Sequence, residues 1–130
     1  MDSLDRDFTI LVVEDQGFIA SEFDDAVRRN GGRVLGPATR VSEALALIET
    51  ARCDGALLDV HLGNGEMVFP VAERLYAERI PFVFVTGSEE DFGEPYGDVP
   101  VLRKPFGEAE LNRCLRMLMD GMLHPSVFAK

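Results

Sequence analysis

Ala56-Leu57-Leu58-Asp59-Val60 is an apolar run that carries one carboxylate near its end. A buried strand gains no stability from delivering an acid to its own C-terminal tip, because burying a charge is costly unless it is paired. Three further stretches share this form. Ile10-Leu11-Val12-Val13-Glu14-Asp15 ends in two acids, Phe82-Val83-Phe84-Val85-Thr86 in a hydroxyl, and Val99-Pro100-Val101-Leu102-Arg103-Lys104 in an amine. All of these groups are expected to converge on Asp59.

The runs are continuous rather than alternating, which suits strands covered on both faces of a parallel sheet. Between them lie helical patterns. Phe18, Ile19, Phe23, Ala26 and Val27 form the expected buried stripe of a first helix, which Asn30-Gly31-Gly32 stops. Arg33 to Gly36 reads as a second strand closed by Gly36-Pro37, and Ser42 reads as the N-cap of a helix carrying Ala44, Leu45, Leu47 and Ile48. A third helix carries Val68, Val71, Ala72, Leu75 and Tyr76; a last one carries Leu111, Cys114, Leu115 and Leu118 and stops at Gly121. Residues 87–100, rich in Gly and Pro and poor in apolar side chains, allow at most a short helix. Five βα units in succession imply an α/β, doubly wound, five-stranded parallel sheet with helices on both faces, and its expected strand order is the flavodoxin-like 2-1-3-4-5. The binding crevice of such a sheet lies at the carboxyl ends of the first and third strands, where strand order reverses. Those strands end in Glu14-Asp15 and Asp59.

The composition excludes several functions. A net charge of -10 repels a nucleic-acid backbone and an anionic membrane surface, so neither is expected as partner. No window reaches the roughly 18 apolar residues of a membrane span. The acidic start Met1-Asp2-Ser3-Leu4-Asp5-Arg6-Asp7 precedes no signal-peptide block, and a cytoplasmic location is expected. Cys53 and Cys114 have neither metal-ligand nor redox spacing and read as core or near-core residues.

Three clustered carboxylates ionise together only around a cation; otherwise two of them share a proton with a raised pKa. Hard oxygen ligands with room for water suit Mg²⁺. An ionised Asp can attack an activated phosphorus to give an aspartyl phosphate, with catalysis resting on positioning and charge neutralisation. Mg²⁺, the Lys104 ammonium, and the Thr86 hydroxyl with a nearby backbone N–H would then each take one phosphoryl oxygen.

Glu14-Asp15, Leu58-Asp59, Thr86-Gly87 and Lys104-Pro105-Phe106 match, in order and separation, the motifs of the receiver domains of two-component response regulators, which the sequence resembles over nearly its whole length. The resemblance implies that Asp59 accepts a phosphoryl group from a sensor histidine kinase or a histidine phosphotransfer protein. It implies a Mg²⁺ site made of Asp15, Asp59 and the backbone carbonyl of His61, with Glu14 acting mostly through water. Lys104 and Thr86 would contact the phosphoryl group, and the Lys104–Pro105 peptide is expected to be cis. Residues 1–130 are expected to form one receiver domain, with a core of about 8–121 and no output domain. A further, unidentified protein would read the phosphorylation, or the domain would serve as relay or phosphate sink. Its only chemistry would be its own phosphorylation and dephosphorylation.

Two departures from the pattern bear on signalling. Val101 stands where many receivers carry Tyr or Phe, and the Gly/Pro-rich stretch replaces their fourth helix. Phe84-Val85-Thr86-Gly87 partly resembles the FATGUY subgroup, with Val85 in place of Ala and no Tyr directly after Ser88. Two rival readings stand beside this one. A phosphatase with an aspartyl-phosphate intermediate would want a second acid near Asp59, where Val60 and His61 stand; a phosphorylation-independent interaction module would have no need of Asp59, Thr86 and Lys104 together.

Overall fold

The computed structural model describes residues 8–89 and 92–120. The four apolar runs and the short strand at Arg33 become β1 (Thr9–Val13), β2 (Arg33–Ala38), β3 (Gly55–Asp59), β4 (Phe82–Thr86) and β5 (Val101–Arg103). They pair in parallel in the expected order β2-β1-β3-β4-β5. Both sheet faces are covered, and alternate residues of one strand serve opposite layers. Leu11, Val13, Leu58, Phe82 and Phe84 pack with Ala44 and Ile48 of α2 (Val41–Thr50) and with Val71, Ala72 and Leu75 of α3 (Phe69–Ala77). Ile10, Val12, Leu57, Val83, Val85 and Leu102 pack with Phe23, Ala26 and Val27 of α1 (Gly17–Arg29) and with Leu111, Leu115 and Leu118 of α4 (Glu108–Met119). The continuous apolar runs follow from this two-sided burial.

Local chemistry sets the ends of these elements. Asn30 caps α1 with its backbone N–H, and Gly31 then takes φ +88°, a conformation costly for other residues. Asp54 ties the start of β3 to the start of β1, its Oδ2 accepting from Thr9 N–H at 2.8 Å while its own N–H donates to the Thr9 carbonyl. The peptides Gly36–Pro37, Glu94–Pro95 and Lys104–Pro105 are cis, the last as expected.

Several local expectations are corrected. Phe18 is 81% exposed rather than part of the buried stripe, because it shares a helical face with the exposed Glu22 and Asp25. Ser42 lies inside α2, whose N-cap residue is Arg40. Strand β2 continues past Gly36-Pro37 to Ala38, with a register shift against Leu11 and Val13. The fifth strand starts at Val101 rather than at residue 99. Among the described residues only four βα units contain an α-helix, and β4 is followed by one 3-10 turn, Tyr96–Asp98. Gly121, the expected stop of the last helix, lies outside the described residues. Among those residues no helix is long and apolar enough to cross a membrane.

The segment after β4 is held by aromatic rings. Phe92 and Tyr96 pack on Phe84 at centroid distances of 4.8 and 5.4 Å and on Phe69 at 5.7 and 5.9 Å. Phe84 is fully buried beneath them. Phe84→Ala should therefore destabilise the protein by about 3–5 kcal/mol. Urea denaturation checks this, and a loss below about 1 kcal/mol would mean that the ring wall is not part of the core.

Candidate functional site

Register brings the site together. Val13 is level with Leu58, Asp59 with Val85, and Thr86 with Arg103. The strand ends Glu14-Asp15, Asp59, Thr86 and Lys104 therefore line one edge of the sheet, its carboxyl edge. One carboxylate oxygen from each of Glu14, Asp15 and Asp59 lies within 4.8 Å of the others. Lys104 Nζ stands 3.4 Å from Asp59 Oδ1 and 3.4 Å from Glu14 Oε1. Its own backbone N–H donates to the Thr86 carbonyl at 2.9 Å, which fixes β5 against β4 at the point where the ammonium is needed.

Burial shapes the electrostatics. Glu14 and Asp59 are 1% and 4% exposed. Glu14 Oε2 accepts from Gln16 N–H at 3.1 Å, whereas Oε1 has no hydrogen-bond partner, the Lys104 contact being an ion pair without hydrogen-bond geometry. Desolvation, and then the charge of Asp59, push the Glu14 carboxyl up from 4.5 to about 7. Desolvation also raises Asp59, against the opposing pull of Lys104. A proton shared within this pair and a bound cation are thus alternative ways of relieving one repulsion. Three hard oxygen donors, one of them buried with an oxygen left unsatisfied, fit a divalent ion such as Mg²⁺.

The remaining expected residues are placed less centrally. The Thr86 hydroxyl accepts from Ser88 N–H at 3.1 Å and lies 3.3 Å from Ser88 Oγ, so it turns toward its own loop. His61 has an exposed side chain and forms an isolated antiparallel bridge with Met67. Sequence reasoning missed Gly63, whose N–H donates to Asp15 Oδ2 at 2.7 Å. A Cβ on Gly63 would run into that carboxylate, so the glycine admits the close approach. It also missed Phe92 and Tyr96, whose spacing of four was the available signal.

No family model matches the chain. The solution structure of SdrG from Sphingomonas melonis Fr1 is 38% identical, with a TM-score of 0.75, over 87% of this chain and 97% of that one. The BeF3-activated conformation of SdrG from Pseudomonas melonis Fr1 is 40% identical, with a TM-score of 0.71, over 85% of this chain and 95% of that one. A CheY-like response regulator receiver domain from Methylobacillus flagellatus shares the fold at 23% identity and a TM-score of 0.73, over 87% of this chain and 99% of that one. The phyllosphere-induced regulator PhyR of Methylorubrum extorquens is 29% identical over 107 residues, 79% of this chain. The match spans 40% of that regulator's length.

The raised Glu14 carboxyl makes stability depend on pH. Its pKa is 4.5 unperturbed and about 7 in the fold, so its favourable contribution is complete below about pH 4.5 and is lost as pH rises through 7. With chelator present, the melting temperature should be several degrees higher near pH 5.5 than near pH 8. Millimolar Mg²⁺ should remove the difference by taking the place of the proton. Thermal unfolding under the four conditions checks this, and equal melting temperatures in chelator would show that the acids do not repel one another in the fold.

Proposed function

Since the chain belongs to the receiver domains of response regulators, we propose that Asp59 accepts a phosphoryl group, in a Mg²⁺-dependent reaction, from a sensor histidine kinase or a histidine phosphotransfer protein. The observation that carries this reading is the position of Lys104 Nζ, 3.4 Å from both Asp59 Oδ1 and the hydrogen-bond-orphaned Glu14 Oε1. A lysine wedged between two buried acids, beside a third, neutralises charge on one side of Asp59 and leaves oxygen donors on the other. The beryllofluoride-activated conformation of SdrG supports a site of this kind.

In the reaction an Asp59 carboxylate oxygen forms the new bond to phosphorus. The bond from phosphorus to the donor's imidazole nitrogen breaks, and the imidazole leaves with the electron pair. Asp15, Asp59 and the His61 backbone carbonyl would hold Mg²⁺, with Glu14 acting through water. Bound there, the ion supplies positive charge to one phosphoryl oxygen. Lys104 neutralises a second oxygen, and the Thr86 hydroxyl, released toward the site, donates to a third. The chain modifies only itself and turns over no metabolite. It acts in the cytoplasm, and its phosphorylated form signals through protein–protein contacts.

Incubation with Mg²⁺ and a small phosphodonor, followed by intact mass, should show one added phosphoryl group that hydroxylamine removes. Asp59→Asn should abolish it, and Lys104→Ala should slow it by about 100-fold or more. No addition from any donor or kinase would favour the phosphorylation-independent module.

The switch is a population shift driven by what the phosphoryl group contacts in one state only. Thr86 moves toward the phosphoryl group, and residues 87–89 and 92–98 follow. On adding beryllofluoride, amide shifts and hydrogen exchange should change at Thr86 to Ser88 and at Phe92 to Val99. Unchanged behaviour across these residues would eliminate this route.

A further inference from the structure

Helix α2 begins without a side-chain cap of its own, since Arg40 makes no capping hydrogen bond. The N–H of Val41, its first residue, donates instead to Glu66 Oε1 at 2.9 Å, from a residue 25 positions away. Glu66 lies in the loop that joins β3 to α3 and passes the acidic site. The same Oε1 accepts from Asn64 Nδ2 at 2.9 Å, and Glu66 N–H donates to Asn64 Oδ1 at 2.9 Å. The Glu66 carbonyl accepts from Leu62 N–H at 2.9 Å, and the Leu62 carbonyl from Gly65 N–H at 3.0 Å. Gly63 sits inside this closed loop, with its N–H on Asp15 Oδ2.

We infer that Glu66 is a positioning residue for the cation site. By anchoring the 61–67 loop on the N-terminus of α2, it fixes the Gly63 N–H and, through it, the direction in which Asp15 presents its carboxylate. The last link rests on the metal-dependent reading above; the first two stand on the hydrogen bonds alone. The helix N-terminus favours an anion at this place. The hydrogen bonds from Val41 and Asn64 hold the Glu66 carboxyl below its usual range, so that it stays ionised across the neutral region.

A helix cap with no wider role predicts something different, and a second bond at the same helix end separates the two. Glu43 Oε1 accepts from Thr39 N–H at 2.8 Å and from Thr39 Oγ1 at 3.0 Å without touching the loop. Glu43→Ala should therefore lower stability while leaving Mg²⁺ affinity unchanged. Glu66→Ala should weaken Mg²⁺ binding by about 10-fold or more, the usual scale for outer-shell partners. It should also speed exchange of the Gly63 amide by about 10-fold in chelator, where no metal contributes. Glu66→Gln, which keeps the reach and the acceptor oxygen, should stay within about 3-fold of wild type on both measures. Glu66→Asp, which keeps the charge and loses the reach, should follow Glu66→Ala.

The experiment uses the full chain, with Mg²⁺ titration and amide exchange by NMR. Unchanged Gly63 exchange in Glu66→Ala and Glu66→Asp would overturn the inference, as would an equal loss of Mg²⁺ affinity in Glu43→Ala. A wild-type chain that binds no Mg²⁺ would overturn the proposed function instead, and Gly63 exchange alone would then decide the positioning role.

Discussion

Mutual repulsion among carboxylates at one sheet edge is the constraint on which the rest depends. Glu14 and Asp59 are nearly removed from water, and Asp15 stands beside them. Burial of like charges is unfavourable, and the fold tolerates it through three forms of relief: the Lys104 ammonium, a proton held by the pair, or a cation. Lys104 can serve only because β5, three residues long, is hydrogen-bonded to Thr86 at the right height. Parallel strands covered on both faces fix that height by register, and the helices are there to cover them. The site thus gathers like charges at one edge of a well-packed sheet, and a cation bound there would relieve them.

How much of this was legible in the sequence depended on whether each cause was local. The apolar runs at 10–13, 56–58 and 82–85 report two-sided burial directly, so a parallel sheet and its carboxyl edge followed from them. The convergence of Glu14, Asp15, Asp59 and Lys104 followed in turn, because each ends such a run. Misreadings arose where the deciding partner was distant or where a residue lay at the margin of a periodic stripe. Ser42 has the chemistry of a cap, yet the first N–H of α2 is taken by Glu66, which no local pattern announces. Phe18 falls at the start of α1, where one more apolar residue fits the stripe numerically but sits on the face of Glu22 and Asp25. Thr86 does lie at the edge, but its hydroxyl engages Ser88, a contact of the resting loop rather than of the site.

Residues 92–99 show a different balance. Gly93, Gly97 and Pro95 remove helix propensity, and a single 3-10 turn forms where other βα units build an α-helix. Order comes instead from two rings, Phe92 and Tyr96, docked on Phe84 and Phe69. Phe84 and Thr86 alternate with Val85 along β4, so the ring wall and the threonine lie on the same side of the sheet. Val101 leaves β5 without an aromatic of its own. Aromatic mass is therefore concentrated on the strand that carries the hydroxyl.

The two outer strands have a consequence of another kind. A sheet edge is a row of unpaired backbone groups on which a stray strand can grow. At one border, Pro37 supplies no N–H and the register slips beside it. At the other, β5 offers only three residues between Pro100 and Pro105. Neither border gives a foreign chain a long, regular template, so a sheet made of strongly strand-forming segments is protected against templated aggregation by irregularities that look, locally, like flaws.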